Sequence, residues 1–77
     1  MYITVKYFGQ IAEVTNKDEE TVEVIGGQVS DLLEVLNTRY DQLKNEDFQI
    51  AQNQELVSLE TALTGLEIAL LPPFAGG

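Results

Sequence analysis

The chain has 77 residues without cysteine or histidine, and its thirteen acidic residues against four basic ones give a formal net charge of −9. This length fits one small domain, and the missing residue types exclude disulfides, thiolate metal sites and the nucleophile–histidine pairs of hydrolases. The negative charge would repel nucleic acid and an anionic membrane, so it indicates either simple solubility or a basic protein partner met by electrostatic steering.

The first part of the chain carries two strand patterns. Residues 2–8 are β-branched and aromatic and predict a strand that Gly9 ends, with a short helical turn around residues 11–14. Residues 19–25 alternate acidic residues or Thr with Val and Ile, which predicts a second strand with one face in water.

The periodicity then changes to that of a helix. Apolar residues recur at three- and four-residue steps, with acidic residues near the start and basic ones near the end, which predicts one amphipathic helix. Gly27, Gln28 and Ser30 are alternatives for its N-cap. The apolar stripe consists of Val29, Leu32, Leu33, Leu36, Tyr40 and Leu43.

Three more strands are predicted in the remainder of the chain. Residues 48–52 and 56–60 flank a turn at Asn53-Gln54. Residues 66–71 form the last strand, because the prolines that follow cannot donate hydrogen bonds to a sheet.

This order of elements predicts the fold class α+β, with a mixed sheet packed on one main helix. It is the β-grasp arrangement of ubiquitin-like domains. We expect residues 1–71 to form that domain and residues 72–77 to be an extended, flexible tail.

The chemistry that the sequence predicts lies in this tail, whose residues are Pro72, Pro73, Phe74, Ala75, Gly76 and Gly77. The prolines should keep its base stiff, and the glycines leave a tip without side chains that can enter a narrow tunnel. The terminal carboxylate is a poor acyl donor until it is activated, and adenylation by ATP is the general route. The carboxylates elsewhere lack the spacing of a metal-binding loop and are interpreted as solvated residues, so no metal site is predicted.

Strand alternation predicts a docking face on the solvent side of the sheet, which Lys6, Glu60 and Glu67 mark. The residues that alternate with them fall on the opposite, core side, among them Ile3, Val5, Tyr7, Val57 and Leu59. Three apolar residues remain on the solvent side near the tail, and we interpret them as a partner interface, with scattered exposed hydrophobic residues as the alternative. These residues are Phe8, Leu56 and Leu71.

The ending from residue 70 to 77 resembles the Pro-Pro-x-x-Gly-Gly ending of molybdopterin synthase small subunits. Residues 48–55 resemble the strand and Asn-containing turn of that family, residues 65–69 its Gly-Asp-Glu-Val-Ala stretch, and residues 7–10 its first-strand ending. The resemblance covers the whole chain, and the ending is its most specific part. Two departures are Leu66, where the family usually has Asp, and Ala12, where a basic residue is frequent.

The resemblance implies a cytoplasmic sulfur carrier that is no enzyme on its own and binds no cofactor. A MoeB-like enzyme would use ATP to adenylate Gly77, and a sulfur source would convert the adenylate to a thiocarboxylate. The large synthase subunit would take up the tail, with Gly76 at its tip, and pass the sulfur to cyclic pyranopterin monophosphate. Two small and two large subunits would form a heterotetramer, with the interface at positions matching Phe8, Leu56 and Leu71.

Three other functions share this pattern. A thiazole-pathway sulfur carrier has the same diglycine, but such chains tend to be shorter and Pro72-Pro73 argues against it. A ubiquitin-like modifier would transfer the same adenylate to lysine amines. A plain β-grasp interaction module would have an inert tail.

Overall fold

The computed structural model describes residues 1–65 and 67–73. In chain order its elements are β1 (Tyr2–Tyr7), α1 (Gln10–Thr15), β2 (Glu19–Glu23), α2 (Val29–Arg39), a 3-10 turn (Asp41–Asn45), β3 (Gln49–Gln52), β4 (Glu55–Leu56) and β5 (Ile68–Leu71). In this part of the chain the strands form one five-stranded sheet in the order β2-β1-β5-β3-β4. The predicted ubiquitin-like α+β fold is confirmed.

The last strand lies in the middle of the sheet. β5 pairs parallel with β1, with Tyr7 opposite Leu70, and antiparallel with β3, with Ala51 opposite Ala69. β1 and β3 each carry a second, antiparallel neighbour, β2 and β4 respectively. The sheet is therefore mixed, and its N-terminal and C-terminal strands run side by side in the same direction.

The core lies between α2 and one face of the sheet, which we call the inner face. Alternate residues of β1, β2 and β5 point toward the helix, as period-two patterning requires. Burying each large aliphatic side chain contributes about 1.5–3 kcal/mol relative to leaving it exposed. Side chains at most 2% exposed are Ile3, Val5, Tyr7, Ile11, Val22, Val24, Val29, Leu32, Leu36, Leu43, Ile68 and Leu70.

The helix begins and ends at identifiable residues. Gln28 is the N-cap, and its backbone N–H donates to the Asp31 carboxylate at 2.9 Å, one half of a capping box. α2 stops at Arg39 because Tyr40 has an extended backbone, with φ −127° and ψ 93°. The predicted apolar stripe nevertheless continues past this break, since Leu43 is buried from within the 3-10 turn.

The predicted strand at residues 56–60 is wrong beyond its first residue. β4 ends at Leu56, and Leu59, which we expected in the core, is 49% exposed. The backbone carbonyl of Leu59 accepts from Ser30 N–H, and that of Thr61 accepts from Val29 N–H, each at 2.9 Å. This segment therefore caps the first turn of α2 instead of extending the sheet.

One buried glutamine stabilises the segment that connects β4 to β5. Gln52 is 7% exposed. Its side-chain amide donates to the Ala62 carbonyl at 3.0 Å and accepts from Thr64 N–H at 3.1 Å. The other strands are one or two residues shorter than predicted, and Leu66, the predicted start of the last strand, lies outside the described residues.

Candidate functional site

The base of the tail lies beside the end of β1. Because β1 and β5 are parallel neighbours, both reach the same end of the sheet, and Phe8 N–H continues the pairing by donating to the Leu70 carbonyl at 3.1 Å. The chain leaves the sheet at Pro72, which offers no N–H to a neighbouring strand. The sheet therefore fixes where the tail starts.

Gly9 and Pro72 are in close contact at this point. A Cβ atom built on Gly9 would lie 2.7 Å from Pro72 Cγ. Gly9 also has φ 60° and ψ −136°, a backbone conformation that essentially only glycine adopts. Sequence reasoning treated Gly9 only as the end of a strand, and a glycine between a strand and a helix was the one available signal for this tight approach.

The structure places the three predicted interface residues on the outer face of the sheet, opposite α2. Phe8 is 44% exposed and Leu56 is 62% exposed, whereas Leu71 is partly buried. The β1–β5 register brings Phe8 next to Leu71. Leu56 lies across β3, opposite Ala51, about 10 Å from β5 at the usual strand spacing.

Small and charged residues complete this outer face. Lys6 and Glu67 form a salt bridge at 3.1 Å, as expected for the side that faces water. Ala51 and Ala69 are paired between Leu56 and Lys6, and their short side chains project little from the sheet. Phe8 and Leu71 thus form one apolar edge beside the tail, and Leu56 a second apolar point.

A buried acid was missed by the sequence analysis. Glu20 was counted among the solvated carboxylates, yet its side chain is only 8% exposed because it shares the inner face with Val22. Oε2 accepts from the Tyr7 and Tyr40 hydroxyls at 2.6 and 2.5 Å, and Oε1 lies 2.8 Å from the Arg39 guanidinium. The adjacent acidic pair at the start of β2 gave no signal as to which member was buried.

The electrostatics of this cluster favour an ionised Glu20. Burial opposes its ionisation, but hydrogen bonds from Tyr40, Tyr7, Lys17 and Arg39 together outweigh burial and hold the Glu20 pKa below its usual value. Burial, followed by the hydrogen bond to Glu20, raises the pKa of both Tyr7 and Tyr40. The rings of the two tyrosines meet edge to face at 6.3 Å. The cluster fastens the sheet to the end of α2, and we assign it a structural role.

The tip of the predicted site, Phe74, Ala75, Gly76 and Gly77, lies outside the described residues, which include only Pro72 and Pro73 of the tail. Within residues 1–65 and 67–73 no group of three or more acidic side chains is placed to hold a metal ion. None of the described helices is long and apolar enough to cross a bilayer.

Solved structures share this fold over 96% or more of the chain. A Pyrococcus furiosus protein assigned as molybdopterin converting factor, subunit 1, is 30% identical, with a TM-score of 0.88 over 96% of this chain and 99% of its own. The small archaeal modifier protein SAMP1 of Haloferax volcanii is 28% identical, with a TM-score of 0.82 and full coverage of both chains.

A third relative was solved in a complex. It belongs to a protein–protein complex of subunits 1 and 2 of the molybdopterin-converting factor from Helicobacter pylori, with 26% identity, a TM-score of 0.71 and full coverage of both chains. The sequence profile of the ThiS family matches residues 5–77. The protein therefore belongs to the ThiS family, within the ThiS/MoaD-like sulfur carriers.

Proposed function

We propose that this protein is the sulfur-carrying small subunit of molybdopterin synthase. The observation that carries the proposal is the position of the diglycine ending. Pro72-Pro73 comes directly after β5, the central strand of the sheet, and Gly76-Gly77 closes the segment that begins there. The similarity to the Pyrococcus and Helicobacter molybdopterin-converting proteins supports this choice among sulfur carriers.

In this proposal the folded domain holds the base of the tail in a fixed position. β5 is held by β1 on one side and β3 on the other, and Pro72 packs against Gly9. Four residues follow Pro73 and span about 13 Å when extended. A partner that grips the outer face at Phe8 and Leu71 can therefore receive the tip of the tail in a site about that far away.

The proposed reactions need no catalytic group from this chain. The Gly77 carboxylate attacks the α-phosphate of ATP on a MoeB-like enzyme, which forms the acyl-adenylate and releases pyrophosphate. A sulfur nucleophile then displaces AMP to leave a thiocarboxylate. In the large subunit that sulfur bonds to a side-chain carbon of cyclic pyranopterin monophosphate in place of an oxygen. Water then hydrolyses the acyl–sulfur bond, which returns Gly77 to a carboxylate, and repetition with a second carrier completes the dithiolene.

The proposed partners follow from these steps. They are the adenylating enzyme, which binds ATP, and the large synthase subunit, with which two copies of this chain would form a heterotetramer. The small subunit contributes the sulfur and no bound cofactor, and the active site belongs to the large subunit. The acidic surface, with a net charge of −9, favours basic faces on both partners.

The test is intact mass spectrometry after incubation with ATP, a sulfide source and the adenylating enzyme. We expect the mass gain of one oxygen-to-sulfur exchange, followed by its loss when the large subunit and cyclic pyranopterin monophosphate are added and molybdopterin forms. A variant lacking Gly77 is the control and should gain no mass. Absence of the gain with an enzyme proven active on another carrier would refute the proposal.

A second candidate, a ubiquitin-like protein modifier, is favoured by the full-length similarity to SAMP1 of Haloferax volcanii. Its adenylate would be transferred to lysine amines on other proteins. An isopeptide-linked Gly-Gly remnant on lysines of the host's proteins, dependent on Gly77, would establish this function. Formation of molybdopterin without such adducts would favour the synthase subunit.

A further inference from the structure

The outer edge of β2 is open to solvent. β2 stands at the end of the sheet order, so among the described residues no strand pairs with that edge. Val24 exchanges hydrogen bonds with Met1, and the Asp18 carbonyl accepts from Tyr7 N–H at 2.8 Å, so the even-numbered residues of β2 face β1. Antiparallel pairing then turns alternate amide groups away from β1. These belong to Glu19, Thr21 and Glu23.

A groove runs between this edge and α2. It has a volume of about 550 Å³. Ile25, which follows β2, lines one wall and is 98% exposed, and Val35 of α2 lines the other and is partly buried. An isoleucine so fully exposed beside an apolar groove wall makes no stabilising contact in the isolated domain, so a bound segment would find apolar surface there.

Acidic residues lie on both sides of this edge. Asp31 and Glu34 of α2 line the groove, and Glu19 and Glu23 of β2 are exposed, with their side chains turned to the outer face by strand alternation. Arg39 is the basic residue of the lining, and it lies 2.8 Å from Glu20 and so is already paired. This charge pattern complements a basic segment and repels an acidic one.

We propose that the β2 edge and this groove bind an extended segment of a partner protein by strand addition, and that the segment alternates aliphatic with basic residues. Its backbone pairs with the free amide and carbonyl groups of β2. Its aliphatic side chains enter the groove against Ile25 and Val35, and its basic side chains lie beside Glu19 and Glu23 on the outer face.

Two features define how this site relates to other surfaces. A second copy of this chain would bring Glu19 and Glu23 against equivalent carboxylates, so charge disfavours edge-to-edge self-association. Ile25 lies near Met1, at the opposite end of β1 from Gly9 and Pro72. The site therefore lies apart from the tail and goes beyond the proposed sulfur-carrier function, and it can be occupied while a partner holds the tail.

The test uses a synthetic heptapeptide, acetyl-Lys-Val-Lys-Ile-Lys-Val-Lys-amide, titrated into the isotope-labelled protein and followed by NMR. We expect shift changes along β2 and at Ile25 and Val35, and slower hydrogen exchange of the Thr21 amide. Replacing the peptide lysines by glutamates should weaken binding by about tenfold or more. Shift changes centred on Phe8 and Leu71, or none at all, would overturn the proposal.

Two N-methylated peptides separate strand addition from attraction between charges alone. One carries methyl groups on the Val and Ile amides, and the other on the internal Lys amides. Since alternate amides of a strand point to opposite edges, one peptide should lose binding while the other retains it. Equal binding of both peptides would mean that no strand is added and would contradict the proposal.

Variants of the protein locate the site. Thr21→Pro removes an outward-pointing N–H, which edge strands tolerate, and should abolish binding. Ile25→Lys should weaken binding about fivefold or more, whereas Leu59→Lys, at another exposed apolar residue outside the groove, should change it less than about twofold. Equal effects of the two lysine substitutions would place the peptide outside the groove, whether or not Thr21→Pro folds.

Discussion

The ring of Pro72 lies against the backbone of Gly9, in the space that a side chain at Gly9 would occupy. This contact joins the first residue after β5 to the first turn after β1. It fixes the direction in which the chain leaves the sheet, at the base of the segment that carries the diglycine.

Gly9→Ala should disturb both stability and the base of the tail. The added Cβ would lie 2.7 Å from Pro72 Cγ, and alanine is strained at φ 60° and ψ −136°. We expect a loss of about 1–3 kcal/mol in the free energy of unfolding, measured by urea denaturation. Gly27→Ala is the matched control, since a Cβ there meets no atom within 4 Å, and it should change stability by less than about 0.5 kcal/mol. Equal losses of stability in the two variants would show that the contact between Gly9 and Pro72 does not stabilise the fold.

Protonation of Glu20 should make the protein less stable at acidic pH. Its pKa in the folded state is below the usual value of 4.5, so the unfolded chain binds the proton more readily. The stabilisation is therefore present above pH 4.5 and is lost as the pH falls through the folded pKa. Glu20→Gln should cost about 2–3 kcal/mol near neutral pH and flatten the acid limb of the stability curve, measured by denaturation across pH.

Glu23→Gln is the matched control, because Glu23 is exposed on the same strand. It should leave the stability at neutral pH close to that of the original protein. If the two glutamine variants behaved alike, the hydrogen bonds from Tyr7 and Tyr40 to Glu20 would not stabilise the fold.

The proposed function predicts that Phe8→Ala weakens binding of the large synthase subunit. Phe8 is exposed at the end of β1 beside Leu71 and the tail, where a partner that receives the tail must also contact the sheet. We expect a loss of about tenfold or more in affinity, measured by calorimetry. Tyr2→Ala, which removes an exposed aromatic ring at the other end of β1, should change affinity less than about twofold. A larger effect at Tyr2 would move the interface away from the tail.

Gln52→Leu should loosen the segment before β5. The substitution keeps the side chain's approximate size but removes its bonds to the Ala62 carbonyl and Thr64 N–H. We expect a loss of about 1–3 kcal/mol and faster hydrogen exchange at the Thr64 amide. Gln49→Leu, three residues earlier and on the outer face, should leave Thr64 exchange unchanged. Unchanged exchange in the Gln52 variant would contradict this account of the loop.

The sequence predicted what depends on local periodicity. The alternation of Ile3, Val5 and Tyr7 placed them correctly in the core, and the helical stripe from Val29 to Leu36 placed α2. Leu59 was misplaced because the competing need, capping the first turn of α2, involves residues about thirty positions earlier.

The candidate site likewise had features that the sequence predicted and features that it did not. The outer-face positions of Phe8 and Leu56 followed from strand alternation, whereas the Gly9–Pro72 contact required knowing that β1 and β5 are parallel neighbours. Burial of Glu20 required the register that brings Tyr40 to β2. Neither relationship is local in sequence, so no pattern within one element could reveal it.

The central place of β5 also orders the assembly of the molecule. The β1–β2 and β3–β4 hairpins meet in the sheet only through the strand that comes last, with Leu70 between Tyr7 and Ile50. Without that strand the two ladders would have no connection within the sheet, and pairings between residues so far apart in the sequence form slowly. The outer face beside Pro72 is completed when the same strand pairs, so an enzyme that requires both the face and the tail acts only on chains that have finished folding.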